Sequence, residues 1–391
     1  MTPRPAPEGV PLGVYVHVPY CLKKCPYCDF NSHARDGELP EAAYTEAIRR
    51  EIRRWAPQAH GRPAASVFFG GGTPSLFTPA FFAAVLDELH AHIGLAPDCE
   101  ITLEANPGAS EAERFAGYRA AGVNRLSIGV QSLTDAHLAA LGRVHSADEA
   151  RAAAAQARQA GFADLNLDLM FGLPGQTPEQ AVADLDGLLA LAPDHIALYQ
   201  LTIEPNTVFW ARPPTLPDED GLADTEAALR SRLAQAGFRH YEVSNHARPG
   251  RECRHNRNYW EFGDYLGLGA GAHGKLTTPA GVMRTRNYAG PEAYLERAAA
   301  GEATAESRSL GADDLVAEFA LNAFRLNEAV PHALFRERTG LPAAALAPPA
   351  RRAAAAGLLQ PADDQLEPTE RGRAFLNDLV GIFLTEEAGA Y

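Results

Sequence analysis

The chain has 391 residues, 46% apolar and 21% charged, which suits a globular protein of two or three domains or one large α/β barrel with a small domain. Its formal net charge of −14 argues against a nucleic acid or an anionic membrane surface as the main partner. Five cysteines are too few for a disulfide framework, and no apolar run approaches the ~20 residues of a membrane span. These features predict a cytoplasmic protein.

The first half of the chain is predicted to alternate between strands and helices, after a proline-rich lead over residues 1–13 that is expected to be disordered. The predicted strands are 14–18, 66–69, 100–103, 125–129, 165–170 and 195–201. The predicted helices are 41–55, 79–92, 110–121 with Ser110 as N-cap, 147–160 and 178–191. This alternation predicts an α/β fold, a partial or full (β/α) barrel whose active site lies at the carboxyl ends of parallel strands.

The second half of the chain follows a different pattern. Residues 202–300 contain loops, one clear helix over 218–235 and a glycine-rich stretch, and residues 14–300 together are expected to form the barrel core. Residues 305–391 predict a separate small C-terminal domain, mainly helical, that resembles a winged-helix unit. This segment holds 8 Arg and no Lys against 13 acidic residues, so its net charge of −5 argues against DNA binding.

Three cysteines, Cys21, Cys25 and Cys28, follow the first predicted strand with the spacing Cys-x3-Cys-x2-Cys. A structural zinc site needs a fourth ligand, which His17 or His33 could supply, and a disulfide would leave one thiol over. Three thiolates can instead hold three irons of a 4Fe-4S cluster and leave the fourth iron open. S-adenosylmethionine needs such an open iron for its reductive cleavage. The spacing therefore favours a 4Fe-4S cluster that binds S-adenosylmethionine.

A run of three glycines, Gly70 to Gly72, and Thr73 follow the second predicted strand. Glycines allow close approach of the backbone to a ligand, so at a barrel mouth this segment suits the methionine end of S-adenosylmethionine. A simple turn is the alternative. The pattern together with the cysteines favours a binding role.

Polar residues also lie at or just past the ends of later predicted strands. Glu104, Gln131 and Asp168 would be costly in a sheet interior unless they are paired or face a cavity. They could meet the ribose hydroxyls and the amino group of the ligand, or they could form an internal hydrogen-bond network. Arg143 could bind a carboxylate, or it could be a solvated helix charge.

A further segment, Cys253-Arg-His255-Asn256-Arg-Asn-Tyr259-Trp260, combines a thiol, an imidazole and two aromatic rings within eight residues. Imidazole and thiolate ligate haem iron, and flat aromatic rings stack on a porphyrin. By composition alone the haem signal is weak, because a histidine in a loop is usually structural.

Taken together, these residues resemble the radical S-adenosylmethionine superfamily, and within it the group of oxygen-independent coproporphyrinogen III oxidase and its haem-chaperone relatives. The resemblance covers the whole chain and implies that the three cysteines ligate the cluster. It implies that the S-adenosylmethionine site is formed by Tyr15, Tyr27, Gly71, Gly72, Thr73, Glu104, Gln131, Arg143, Asp168 and Thr202.

Three features separate the two subfamilies and favour the chaperones. The oxidase carries a fourth cysteine two residues after the third, where this chain has Phe30, and only 14 residues precede Tyr15 in place of the oxidase's long N-terminal arm. The chaperones carry a His-Asn-x-x-Tyr-Trp signature, which is complete here. The resemblance therefore implies haem binding by His255, Asn256, Tyr259 and Trp260, with Cys253 as a weaker ligand candidate.

The function that this resemblance implies is haem binding and delivery to an acceptor protein, which could be membrane-associated, with an electron donor for the cluster and a homodimer among the other expected partners. Oxidative decarboxylation of coproporphyrinogen III is the alternative, and Phe30 argues against it. A radical reaction on another substrate is the third hypothesis.

Overall fold

The computed structural model describes residues 6–35, 37–108 and 112–384, so the predicted N-cap Ser110 lies outside the described residues. The strands are Leu12–Val18 (β1), Tyr20–Cys21 (β2), His33–Ala34 (β3), Ala64–Gly71 (β4), Leu95–Ala105 (β5), Arg125–Gln131 (β6), Asp164–Phe171 (β7), His195–Gln200 (β8), Arg239–Glu242 (β9), Asn245–Ala247 (β10), Asp264–Leu268 (β11), His273–Thr278 (β12), Gly281–Asn287 (β13), Thr304–Ser309 (β14), Val330–Pro331 (β15), Leu359–Gln360 (β16) and Gln365–Pro368 (β17).

The helices surround these strands. They are Glu41–Trp55 (α1), Pro79–His92 (α2), Phe115–Ala120 (α3), Asp135–Ala140 (α4), Ala147–Gln159 (α5), Pro178–Ala190 (α6), Val208–Ala211 (α7), Glu219–Gln235 (α8), Arg254–Trp260 (α9), Pro291–Ala299 (α10), Ala312–Ala323 (α11), His332–Thr339 (α12), Ala347–Ala355 (α13), Glu370–Ala374 (α14) and Leu376–Gly381 (α15). Short 3-10 turns lie at Pro7–Gly9, Ala56–Ala59, Pro74–Leu76 and Ala343–Leu346.

Local sequence signals fix several of these helix bounds. Helices α1 and α2 begin and end at the predicted residues. Helix α5 starts with a capping box in which Ser146 and Glu149 satisfy each other's backbone amides. Asp218 accepts a hydrogen bond from the Gly221 amide and caps α8 in the same manner.

Twelve strands form one sheet in the order β14-β13-β12-β11-β1-β4-β5-β6-β7-β8-β10-β9. The seven strands from β11 to β8 run parallel, and antiparallel strands extend both edges. Among the described residues the two edge strands do not pair with each other, so the sheet is open. Of the two predicted arrangements, the structure therefore has the partial barrel.

The predicted disordered lead is wrong for the residues that the structure describes beyond residue 6. A 3-10 turn covers Pro7–Gly9, and Val10 is buried. The Val10 carbonyl accepts a hydrogen bond from the buried Arg62 guanidinium at 2.9 Å. Strand β1 begins at Leu12, which pairs with both β4 and β11. Burial and ladder pairing thus order this segment despite its prolines.

The C-terminal part has its own core, in which Phe319, Phe335, Leu346 and Phe383 are buried. A three-stranded antiparallel sheet, β15-β17-β16, flanks its helices, as the winged-helix resemblance predicts. Strand β14 still belongs to the large sheet, so the small domain begins after that strand and not at the predicted residue 305. No helix in the described ranges combines the length and apolarity that a membrane span requires.

Candidate functional site

The cysteine loop lies beyond the carboxyl end of β1 and carries three free thiols of intermediate exposure. Each sulfur has a different polar neighbour. Thr73 Oγ1 donates to Cys21 Sγ at 3.5 Å, Ser32 Oγ lies 3.6 Å from Cys28 Sγ, and Arg143 Nη1 donates to Cys25 Sγ at 3.8 Å. Burial raises the pKa of the Cys21 thiol, and the hydrogen bond from Thr73 opposes that rise. The loop therefore presents three sulfurs whose surroundings include both a hydroxyl donor and a cation.

The chemistry of this donor set fits a cluster. Cysteine thiolates are the usual protein ligands of 4Fe-4S clusters, and each binds a different iron. Cys21, Cys25 and Cys28 are thus the residues that would hold the cluster.

The glycine turn at the end of β4 packs tightly against this loop. Gly71 has φ of +119°, and a Cβ atom there would lie 2.6 Å from the His17 ring. At Gly72 a Cβ atom would lie 2.7 Å from the Tyr20 carbonyl and 3.0 Å from Cys21 Sγ. Only glycine fits at these two positions, so the turn brings bare backbone to the side of the cysteine loop.

Two carboxyl groups lie behind the glycine turn. Glu104 Oε2 accepts a hydrogen bond from the Gly71 amide at 3.0 Å, and Asp168 Oδ1 accepts one from Asn166 Nδ2 at 2.6 Å. Burial raises the pKa of Glu104 to about 8, with a further rise from the charge of Asp168. Burial also raises the pKa of Asp168 to about 6. A ligand that brings a cation or hydroxyl groups would stabilise both carboxylates.

Arg143 connects the end of β6 to the cysteine loop. Its Nη2 atom donates to Asn106 Oδ1 at 2.6 Å and to the Gly129 carbonyl at 2.9 Å, while Nη1 reaches Cys25. Gln131, at φ of +69°, ends β6 in the left-handed region. A Cβ atom on Gly129 would lie within 4 Å of Gln131, Arg143 and Asp168 alike, so these side chains meet at one point.

Two further predicted residues border the site. The Tyr27 ring packs on Phe209 with 6.4 Å between centroids, and burial raises its pKa above the ordinary range. The Phe209 amide donates to the Pro26 carbonyl at 2.9 Å, which ties α7 to the cysteine loop. Thr202 is exposed in the loop just after β8.

A cavity of about 180 Å³ lies on the inner side of the curved sheet. Its walls come from six parallel strands, from the antiparallel strand β10, and from α9 with the residue before it. The lining residues are Tyr15, Phe68, Glu104, Arg125, Ser127, Asn166, Asp168, His195, Ala197, Tyr199, Asn245, Cys253, His255, Asn256 and Tyr259. The cavity therefore joins predicted S-adenosylmethionine contacts to predicted haem contacts.

The His255 segment lies at the opposite end of the strands from the cysteine loop. It forms helix α9 where a loop was predicted, and Glu100, in the middle of β5 and opposite Ser66 of β4, accepts hydrogen bonds from the Arg254 and His255 amides. His255 Nδ1 lies 3.0 Å from Ser66 Oγ, near the start of β4. Since β1 runs from Gly13 beside His255 to Val18 near the cysteines, the two ends are about 17 Å apart at ~3.3 Å per residue.

His255 itself is 1% exposed and has partners at both ring nitrogens. Its Nε2 atom lies 3.0 Å from the Tyr259 hydroxyl, and its ring stacks on Phe68 with 5.0 Å between centroids. Burial lowers the pKa of His255 to about 3. Trp260 lies beneath the Arg325 guanidinium, 4.5 Å from the ring centroid. In this conformation the imidazole would have to leave Ser66 or Tyr259 to ligate iron.

Asn106 and His17 belong to the site although the sequence did not single out their roles. Asn106 Nδ2 donates to Thr73 Oγ1 at 3.0 Å and its Oδ1 accepts from Arg143, so it bridges two predicted residues. His17 Nε2 donates to the Asn31 carbonyl at 2.8 Å, and its Nδ1 accepts from the Tyr15 hydroxyl at 2.9 Å. The available signals were polar residues just beyond β5 and within β1.

Comparisons with known proteins agree with this geometry. Residues 15–187 match the family model of the radical SAM superfamily, and residues 310–375 match that of the HemN C-terminal domain. The chain is 46% identical to the heme chaperone HemW of Escherichia coli K12, over 96% of this chain and 99% of that protein. It is 45% identical to the heme chaperone HemW of Haemophilus influenzae, over 97% and 100%.

Among solved structures, coproporphyrinogen III oxidase (HemN) of Escherichia coli, a radical SAM enzyme, superposes with a TM-score of 0.83 at 26% identity. The match covers 97% of this chain and 91% of the oxidase. The structural likeness extends through both domains, whereas the sequence identity is much higher to the HemW proteins. The chain therefore belongs to the HemW family of the radical SAM superfamily.

Proposed function

We propose that this protein is a haem chaperone that holds a 4Fe-4S cluster and S-adenosylmethionine at the carboxyl ends of its parallel strands and delivers haem to acceptor proteins. Near full-length identity of 45–46% to two proteins named heme chaperone carries the proposal. The site supports it, because the cysteine loop has the exposed Phe30 where the resembling oxidase has a fourth cysteine.

The residues around the cysteine loop would each serve the cofactors in a different manner. Cys21, Cys25 and Cys28 would hold the cluster, whose chemistry when bound would be to supply an electron to S-adenosylmethionine. Gly71 and Gly72 would expose backbone to its methionine end, and Glu104 and Asp168 would accept hydrogen bonds from its polar groups. Gln131 and Arg143 would complete the wall, with Tyr15, Tyr27, Thr73 and Thr202 as the outer contacts. The three thiols need a reducing compartment, so a cytoplasmic location belongs to the same proposal.

The assignment of haem to His255, Asn256, Tyr259 and Trp260 stays a prediction. Direct ligation by His255 would cost its hydrogen bond to Ser66 or the one to Tyr259, whichever ring nitrogen binds the iron. An electron donor, a haem acceptor and a second copy of the chain remain expected partners under the same proposal.

Anaerobic cluster reconstitution followed by haem titration, with and without S-adenosylmethionine, tests the function. We expect the iron and sulfide content of one 4Fe-4S cluster per chain, a spectral change on addition of S-adenosylmethionine, and saturable haem binding. Transfer of the bound haem to an apo-haemoprotein would complete the test. Protein that reconstitutes fully yet neither binds nor transfers haem would refute the proposal.

Coproporphyrinogen III oxidation is the second candidate, because the oxidase structure superposes over nearly the whole chain. The same reconstituted protein, supplied with a reductant and coproporphyrinogen III, should release no carbon dioxide above background. Sustained release of carbon dioxide with formation of protoporphyrinogen would favour the oxidase.

A further inference from the structure

The mouth of the partial barrel exposes an unusual amount of apolar surface. Nine large apolar side chains are strongly exposed in the described ranges, and five of them lie on the cysteine loop or beyond the carboxyl ends of the strands. We define the rim as these five, which lie on the cysteine loop, on the segment before α5 and on α7. The rim residues are Leu22, Phe30, Val144, Val208 and Trp210, with exposed fractions of 58–64%.

Contacts of neighbouring residues connect the rim to the cysteines that would hold the cluster. Val144 follows Arg143, which donates to Cys25 Sγ, and a Cβ atom on Gly142 would lie 2.7 Å from Pro26. Val208 and Trp210 flank Phe209, whose amide and ring contact Pro26 and Tyr27. The segments that carry Val144, Val208 and Trp210 thus pack against the cysteine loop, while these three side chains remain exposed. Exposed apolar patches rimmed by polar groups mark sites of ligand or partner binding.

The charge of this surface is opposite to that of the whole chain. The sequence has three lysines, and Lys23 and Lys24 are both exposed in the cysteine loop, while the third, Lys275, is buried beside Asp264. Lys24 Nζ donates to the Phe30 carbonyl at 3.0 Å, which holds an ammonium group beside an exposed aromatic ring. Asp29 is the carboxylate in the same loop. Apolar surface with two ammonium groups matches a flat apolar molecule that carries two carboxylates.

The interior of the barrel cannot take a haem in this conformation. The cavity holds about 180 Å³, whereas sites for drug-sized ligands occupy about 300–1,000 Å³ and haem is at least that large. His255 lies at the far end of that cavity with both ring nitrogens engaged. A haem that binds to this conformation must therefore bind outside the barrel.

We propose that haem docks on the rim, with its apolar edge against Phe30 and Trp210 and its propionates toward Lys23 and Lys24. The inference rests on the proposed function and assigns the haem surface to the cluster end of the barrel, away from helix α9. A haem held on an open surface by apolar contact and two ion pairs is also easy to pass to an acceptor. Phe30, which stands at the oxidase's cysteine position, becomes a specificity-determining residue.

Haem titration of the anaerobic full chain tests the proposal. The Phe30→Ala, Trp210→Ala double variant should bind haem at least about tenfold more weakly, because it removes two exposed aromatic rings that bound haem would cover. The Lys23→Gln, Lys24→Gln variant should bind several-fold more weakly, and its affinity should depend less on salt. The control is Phe375→Ala, an equally exposed aromatic residue on the small C-terminal domain, which should match the wild type within about twofold.

The iron and sulfide content of each variant shows whether a loss of haem affinity comes from a damaged cysteine loop or from the removal of the haem-binding surface. Rim variants that keep the wild-type cluster content and lose haem affinity support the proposal. Rim variants that bind haem as the wild type does overturn it, and so does a His255→Ala variant that alone abolishes binding. Loss of self-association with unchanged haem affinity would also overturn it, since the rim would then be a protein interface. A wild-type protein that binds no haem refutes the proposed function itself.

Discussion

The carboxylate of Glu104, on β5, accepts a hydrogen bond from the backbone amide of Gly71, on the neighbouring strand β4, at 3.0 Å. This bond holds the glycine turn in the conformation that brings Gly72 against Cys21. Glu104 is buried near Asp168, and the two groups repel each other when both are ionised. The same contact thus positions a wall of the proposed cofactor site, and the repulsion between the two carboxylates is a cost that a bound cation or hydroxyl group would reduce.

The pH dependence of stability should reveal this cost. The pKa of Glu104 is about 8 in the folded chain against 4.5 ordinarily. Since the unfolded chain releases this proton at lower pH, the stabilisation is complete below about pH 4.5 and is lost as the pH rises to about 8. At roughly 1.4 kcal/mol per pH unit, the loss amounts to a few kcal/mol. Asp168 adds a loss of the same sign up to about pH 6.

Thermal unfolding of the cofactor-free wild type and of the Glu104→Gln variant between pH 5 and 9 measures this loss of stability. We expect the variant to lose less stability than the wild type over this interval, because glutamine keeps the acceptor oxygen for Gly71 and cannot ionise. The exposed Glu296→Gln is the control and should follow the wild-type profile. Parallel profiles for wild type and Glu104→Gln would show that Glu104 is already ionised at pH 5.

If Cys21, Cys25 and Cys28 hold the cluster, the replacement of one of them should change the iron content far more than the replacement of a cysteine elsewhere in the chain. Cys25→Ala should abolish stable cluster assembly, because two thiolates leave a second iron without a protein ligand. Cys99→Ala should keep the full iron and sulfide content, since Cys99 is buried in the core and lies outside the loop. Metal analysis after anaerobic reconstitution checks both. Stoichiometric zinc in the wild type, bound independently of sulfide, would contradict the cluster.

The sequence predicted the parallel strands and the residues at their carboxyl ends because those signals are local. The end residues of α1 and α2 are set by Pro40 and Pro79 and by helical apolar spacing, and polar residues such as Glu104 stand out within apolar strands. The place of the His255 segment could not be predicted, because it depends on a contact distant along the chain. Strand β11 pairs with β1, Leu12 opposite Asp264, and this pairing carries α9 to the strand starts.

The hydrogen-bond partners of the predicted site residues could also not be predicted from the sequence. The contact between Arg143 and Cys25 could not be predicted, because 118 residues separate the two in the chain. Likewise, the lead before β1 could not be recognised as ordered, since the buried Arg62 that bonds Val10 lies 52 residues away. Long-range polar contacts of this kind are decided by tertiary packing and not by local pattern.

The contact between Arg143 and Cys25 predicts a change in cluster potential. A positive charge beside a cluster ligand favours the more negative, reduced state, so Arg143→Gln should lower the reduction potential, on the order of tens of millivolts. Arg143→Lys keeps the charge and loses the paired bonds to Asn106 and Gly129, so its potential should change less. A redox titration followed by electron paramagnetic resonance measures all three. A potential equal in Arg143→Gln and wild type would exclude this influence.

Because His255 is buried, we expect its replacement to destabilise the fold even in the absence of haem. His255→Ala removes a partner from both Ser66 and Tyr259 and empties the space against Phe68, which should cost about 2–5 kcal/mol in denaturant unfolding. Since burial lowers the pKa of His255 to about 3 from 6.5, wild-type stability should fall as the pH drops below 6.5. His255→Asn, which cannot titrate, should lose less on acidification.

A double-mutant cycle separates the structural role of His255 from iron ligation. Ser66→Ala should cost less in a His255→Ala background than in the wild type, because the hydroxyl has already lost its partner. If the imidazole supports α9 and the strand starts, this coupling is the same with and without haem. If His255 leaves Ser66 to ligate iron, the coupling vanishes once haem is bound, and the haem spectrum of His255→Ala differs from that of the wild type. We expect a coupling that haem leaves unchanged, because both ring nitrogens are already bonded within the barrel.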